Sequence, residues 1–437
     1  MTAAHFAQVC CTAFRRSVDS ALAVGQPPKG GTACLALLLL ASLAGAQPAI
    51  REVDLRVASD GAEPSGVAVR VCLPAKARWD GGAPVVVVVP GGWTGSSLSR
   101  TLAPLAANGC IEVRFCFPGE GDGQAQSGGE SDQRGARSTR ALAEVIAFAS
   151  GLKAAADGRG LAQVARPLVP LGRQVGLLAL DNGGNSAILA IARHAERCAN
   201  VAWLATWETP LTEAAAMGLL GERGAGPSPA YDPVSGQWDP TKLAWDPRGY
   251  FYLVNGQARY PVGALRLVQP DGSWQLAYPR LVLAAAQARG LFGQAWPSTV
   301  LALREADDFW AERSAERALA DAVAARPDLL AMVLGGQPDH RITAADHPHL
   351  WAAYEGWRRA GLGWVRLNPD RAYLAAVAGA EGPPETPANA ALTRASLPAG
   401  LPSAQVPAAL LCCAGALELA DRVHAHRLDP DLEAVLP

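Results

Sequence analysis

The stretch APVVVVVPGG, residues 83–92, constrains the fold more than any other part of the chain. Five consecutive valines offer no polar side for a surface strand or an amphipathic helix, and β-branching favours extended backbone. Proline and glycine then stop the run. A short, wholly apolar strand of this kind is covered on both faces. CIEVRFCFPGEGDG, residues 110–123, is a second such run, and QVGLLAL, residues 174–180, is a third. Between them STRALAEVIAFASGLKA, residues 138–154, has helical spacing. Strands alternating with helices predict an α/β protein with a mostly parallel central sheet and helices on both faces.

Flanking segments extend the pattern. REVDLRVASDGAEPSGVAVRVCLP, residues 51–74, alternates around a turn-rich centre and predicts an antiparallel hairpin. From Thr209 to Gly290 the chain is rich in Pro, Gly, Trp and Tyr, and predicts short strands and turns outside the sheet. READDFWAERSAERALADAVAA, residues 304–325, predicts one long amphipathic helix. DLLAMVLGG predicts a strand, HPHLWAAYEGWRRAG a helix, LGWVRLNP a last strand, and AALLCCAGALELADRV a closing helix after a Pro-rich linker. The expected organisation is a leader (1–46), a first core part (47–208), a lid-like insertion (209–290), a second core part (291–380), and a linker with a C-terminal helix (381–437).

The leader is expected from Lys29, an apolar stretch over 33–43, and the A-x-A site Ala44-Gly45-Ala46. Cleavage is expected before Gln47, giving a secreted or periplasmic protein. The apolar stretch is short for a bilayer span, so no integral membrane span is expected after cleavage. With 38 basic and 40 acidic side chains, charge gives no basic surface for nucleic acid. The cysteines outside the leader read as buried free thiols.

In order and spacing, four pieces resemble the α/β-hydrolase superfamily, in its secreted esterase and peptidase-like branches. VVVVVPGGWTGSS resembles the strand and loop that supply an oxyanion donor, which places Gly92 and Trp93 there, with Asn182 after the elbow. PGEGDGQAQSGGESDQRGARSTRAL resembles the loop before the first long helix. LLALDNGGNSA resembles the nucleophile elbow. MVLGGQPDHRI resembles the strand end that bears the triad acid, here Asp339. The resemblance implies that fold over residues 50–375, apart from the insertion.

The departures from the pattern bear on function. Asp181 stands where the elbow serine is usual, and WVRLNPDRAYL has no histidine after the last strand. Serine needs a base, and the base an orienting group. Two readings stay open. One is a degenerate triad in a non-catalytic binding or scaffold protein, with Asp181 as a helix cap and Arg371 or Arg341 as its cation. The other is a hydrolase that uses Asp181 as nucleophile, as the superfamily's haloalkane dehalogenases and epoxide hydrolases do. It would recruit a histidine from His340, His347 or His349. Ser186 falls in the first helical turn, past the elbow.

DHRITAADHPH is read as inherited acid plus helix start, not a metal site, with Asp346 near the N-cap. YLVNGQARYPVG lacks the carboxylates that calcium requires. No cofactor and no metal are expected. Trp238, Trp245, Tyr250, Phe251, Tyr252 and Tyr260 are candidates for a lid packed on the core or lining a small-molecule cleft.

Overall fold

A computed structural model describes residues 50–99, 103–212, 231–232, 237–238, 252–254, 257–259, 265–268, 271–288, 290, 296–335, 348–378 and 408–427. The leader, Asp339, His340, Arg341, Asp346 and His347 lie outside the described residues, as do Trp245, Tyr250, Phe251 and Tyr260.

Eight strands form one sheet: β1 (Arg51–Val57), β2 (Val67–Leu73), β3 (Val85–Val89), β4 (Ile111–Phe115), β5 (Val175–Leu180), β6 (Val201–Trp207), β7 (Leu330–Leu334) and β8 (Trp364–Leu367). Their spatial order is β1-β2-β4-β3-β5-β6-β7-β8. β2 pairs antiparallel with β1 and β4, and every later pairing is parallel. Outside the insertion, the described helices of seven residues or more are α1 (Ala136–Ala149), α2 (Asn182–Arg193), α3 (Leu303–Ala311), α4 (Leu319–Ala325), α5 (Pro348–Arg359), α6 (Arg371–Ala378) and α7 (Ala408–His424). This is the α/β-hydrolase architecture that the sequence led us to expect.

The valine run works as its pattern requires. Val85, Val87 and Val89 enter a core shared with α1, α2, α4 and α5. Val86 and Val88 enter a second core on the opposite face, closed by α7. All five are buried. Leu411, Cys412, Leu417 and Leu419 of α7 lie in the same cluster as Leu178, Trp203, Met332 and Leu334 of the sheet.

Polar groups fasten α7 down. Glu418 is fully buried and accepts from Arg366 (2.8 Å), Arg422 (3.0 Å) and the Asp370 amide (2.7 Å). Arg78 donates twice to Asp421, at 2.6 and 2.7 Å. The ring of His424 stacks on Trp79, with centroids 3.9 Å apart.

Two sequence readings need correction. VAWLATW, passed over in the sequence, is the strand β6. The stretch expected as one helix over 304–325 is α3, a 3-10 turn at Glu316–Ala318, and α4. The break turns Arg313 inward, where its guanidinium donates to Phe309 O, Gln133 O and Asp132 O. Arg193 takes up the terminal carbonyls of Ala311 and Glu312.

Within 209–290 the described strands form three separate antiparallel pairs. They are Tyr231–Asp232 with Gln237–Trp238, Tyr252–Val254 with Gln257–Arg259, and Arg266–Val268 with Trp274–Leu276. A helix, Arg280–Ala288, follows them. No helix among the described residues is long and apolar enough to cross a membrane.

Candidate functional site at the strand ends

β5 ends at Leu180 and α2 begins at Asn182, so Asp181 alone makes the turn. Its backbone is at φ 46°, ψ −129°, a region that costs non-glycine residues about 1–3 kcal/mol. Hydrogen bonds hold it there. The Asp181 amide donates to Trp207 O at 2.8 Å, and its carbonyl accepts from the Gly184 amide and the Thr209 hydroxyl, both at 3.0 Å.

Close approach makes the neighbouring glycines necessary. A Cβ at Gly183 would stand 2.6 Å from Pro90 O. One at Gly91 would stand 2.8 Å from Leu180 O and 3.0 Å from the Asp181 Cβ. The loop after β3 therefore lies directly against the elbow.

That contact decides where the Asp181 side chain goes. Asp181 is the N-cap residue of α2, but its carboxylate makes no cap hydrogen bond. The capping role expected from the sequence is therefore corrected. Instead Oδ2 accepts from the Gly92 amide at 3.2 Å. Gly92 is the residue that the sequence singled out as an oxyanion donor. Asp181 has no other hydrogen bond to its side chain and no ion pair among the described residues. The expected cation partner is thus not supplied by any described side chain. Arg371 opens α6, with its side chain outside the described residues, as is all of Arg341.

A second layer pins the β3 loop. Glu120, from the GEGDG turn, accepts from the Ser96 amide at 2.8 Å and the Ser96 hydroxyl at 2.7 Å. Arg134 donates to both of its oxygens, at 2.6 and 3.2 Å. Side-chain exposures of 1% for Arg134 and 4% for Glu120 put this pair in the interior. Burial works to raise the Glu120 pKa, but the Arg134 charge and the Ser96 bonds outweigh it and hold the carboxyl below its usual range. The guanidinium also lies over the Phe117 ring, 3.9 Å from its centroid.

Trp93 follows Gly92, is half-buried, and meets the buried Trp310 edge to face at 5.5 Å. Asn182 is 4% exposed, and its Oδ1 has no hydrogen-bond partner among the described residues. Ser186 is fully buried within α2, which removes it as a nucleophile. Burial raises the Cys116 thiol to about 11 and the Cys72 thiol to about 12, and all six described cysteines are buried free thiols. None of them has the low pKa of a reactive thiolate.

Two further strand ends carry left-handed residues that the sequence did not flag. Glu208 ends β6 at φ 46°, with its amide bonded to Leu334 O at 2.8 Å. Asn368 ends β8 at φ 60°, fully buried. Its Oδ1 accepts from the Gly335 amide at 3.0 Å, which ties β8 to the end of β7. Asn368 thus occupies the strand end where the family's histidine would follow. His349, on the first turn of α5, is fully buried and makes no bond to Asp181. His194 caps the far end of α2, about 18 Å of helix from Asp181. Trp238 and Tyr252 lie in the short strand pairs, but their side chains are outside the described residues.

No protein-family model and no curated protein sequence matches the chain. Solved structures that align with it include a hyperthermophilic esterase from the archaeon Pyrobaculum calidifontis, at 14% identity over 80% of this chain and 86% of that one, TM-score 0.36. The α/β hydrolase GrgF from Penicillium aligns at 14% identity over 73% and 88%, TM-score 0.36. Carboxyl esterase 2 from the mycorrhizal fungus Tuber melanosporum aligns at 11% identity over 74% and 76%, TM-score 0.36. The fold assignment rests on strand order and direction within this chain, and activity does not transfer at this level of likeness.

Proposed function

We propose that the chain is a non-catalytic binding or scaffold protein on an α/β-hydrolase fold. The bond from the Gly92 amide to the Asp181 carboxylate carries this reading. An oxyanion donor works only if it is free to meet charge that develops on a substrate. Here a fixed anion of the protein already accepts from that amide. The carboxylate would also repel a substrate oxyanion brought beside it. A small-molecule ligand taken up under the lid-like insertion, and export after loss of the leader, complete the proposal.

A second reading is favoured by the backbone of Asp181, which holds the side chain at a sharp strand-to-helix turn with no cation paired to it among the described residues. An unpaired carboxylate can attack an alkyl carbon, but the resulting ester needs an activated water to leave. A histidine from the segment that contains His340 and His347 would have to supply that base. The test is turnover of aryl esters, chloroalkanes and epoxides by the purified protein. The binding-protein reading expects none above background. A kcat of roughly 1 per second or more, abolished by Asp181→Asn, would overturn it in favour of the nucleophile.

A further inference from the structure

A groove of about 500 Å³ opens at the opposite end of the sheet from the elbow, walled by residues 170–174, which lead into β5, and by His424 and His426. The length of β5, about 20 Å for six residues, separates it from the elbow. Its polar lining is Arg173, Gln174, His424 and His426, and no carboxylate lines it. Arg173 is exposed, and neither its side chain nor that of His426 has a hydrogen bond or ion pair among the described residues. The nearby Asp421 is occupied by Arg78.

The ring of His424 and the backbone of His426 are held in place. The Trp79 ring stacks on His424 at an interplanar angle of 3°. His426 sits at φ 52°. Its amide bonds to Val423 O at 3.2 Å, and the Arg427 amide bonds to Arg422 O at 2.9 Å. This pair of bonds is the Schellman ending of a helix, and His426 holds the left-handed position that glycine fills most easily. A cation at a helix C-terminus is favourable in itself, but an exposed imidazole in that strained position is the less stable choice for a cap.

We propose that this groove binds a phosphate monoester, with Arg173, His424 and His426 as its anion-holding side chains. Arginine offers planar paired donors to a phosphate, and each imidazole offers another N–H. The volume exceeds that of bare phosphate and lies within the usual range for small-ligand sites.

The test is calorimetric titration of the full chain with phenyl phosphate at fixed ionic strength, with inorganic phosphate alongside. Phosphatidylcholine vesicles with and without phosphatidate, assayed by sedimentation, distinguish a lipid source from a soluble one. The expected result is saturable binding, tighter for phenyl phosphate than for inorganic phosphate and weakened about tenfold or more by Arg173→Ala. His426→Gly should weaken binding and at the same time raise the urea midpoint. Absence of binding, or a more stable His426→Gly that binds as well as the parent, would overturn the proposal.

Discussion

Replacing Glu120 by alanine tests whether the buried pair behind the elbow is the anchor of the β3 loop. In the folded protein this carboxylate receives two bonds from Arg134 and two from Ser96. Its loss leaves a guanidinium at 1% exposure without a counter-charge. Breaking a buried pair from one side costs about 3–5 kcal/mol. The stranded Ser96 amide would add roughly 1–3 kcal/mol if nothing replaced the acceptor. Water entering the vacated volume offsets part of this, so about 4 kcal/mol is expected in sum. Glu120→Gln keeps an acceptor for Ser96 and loses only the charge, so it should fall near half that value. Glu130, 90% exposed and 3.8 Å from Arg137, is the control, and its alanine variant should shift stability by less than roughly 0.5 kcal/mol. Urea unfolding, followed by tryptophan fluorescence, measures all three variants. Equal midpoints for Glu120→Ala and Glu130→Ala would refute the reasoning, because the pair would then contribute no more than a solvated contact.

Other expectations follow from the same structure. Because Arg134 and Ser96 hold the Glu120 pKa below its unfolded value, its contribution is present above about pH 4.5 and is lost as pH falls through the folded pKa. Glu120→Gln should flatten the acid limb of a stability profile, and an unchanged limb would reject this. Gly176→Ala would place a Cβ 1.9 Å from the Trp203 ring, and should cost about 1–3 kcal/mol by overpacking; a wild-type melting temperature would contradict it. In an exporting host the mature N-terminus should be Gln47 by mass spectrometry, and an intact leader on the soluble protein would sink that expectation.

How much the sequence revealed depends on the range of the forces involved. Strand β3 is legible because its five valines face two cores at once and leave no alternative. The elbow is legible because an apolar run that stops at Asp181 before paired glycines has few backbone solutions. Strand β6 was missed because its two alanines and its leucine carry little strand preference, although its valine, threonine and two tryptophans favour one. The break between α3 and α4 was invisible because the partners that Arg313 meets there, the carbonyls of Asp132 and Gln133, lie about 180 residues away in sequence. The Asp181 carboxylate shows the same limit. Helix-start rules point it at its own helix, and only the packed β3 loop turns it to Gly92. Of the left-handed residues, Asn368 carries a local signal, because asparagine tolerates that region and Asn-Pro marks a turn, whereas Glu208 carries none.

The position of α7 at the chain's end has a consequence for biosynthesis. Domains form on the ribosome from the N-terminus, at roughly 5–20 residues per second. β5, β6 and β7 are therefore made well before the helix that covers their second face. Until residues 408–424 emerge, Leu178, Trp203, Met332 and Leu334 lack the side chains of α7 that complete their core. A nascent chain of this protein thus carries an apolar, sheet-forming surface through the last part of its synthesis. A stop codon anywhere in the preceding linker would make that state permanent, and its product should go to aggregation or proteolysis instead of a slightly weakened fold.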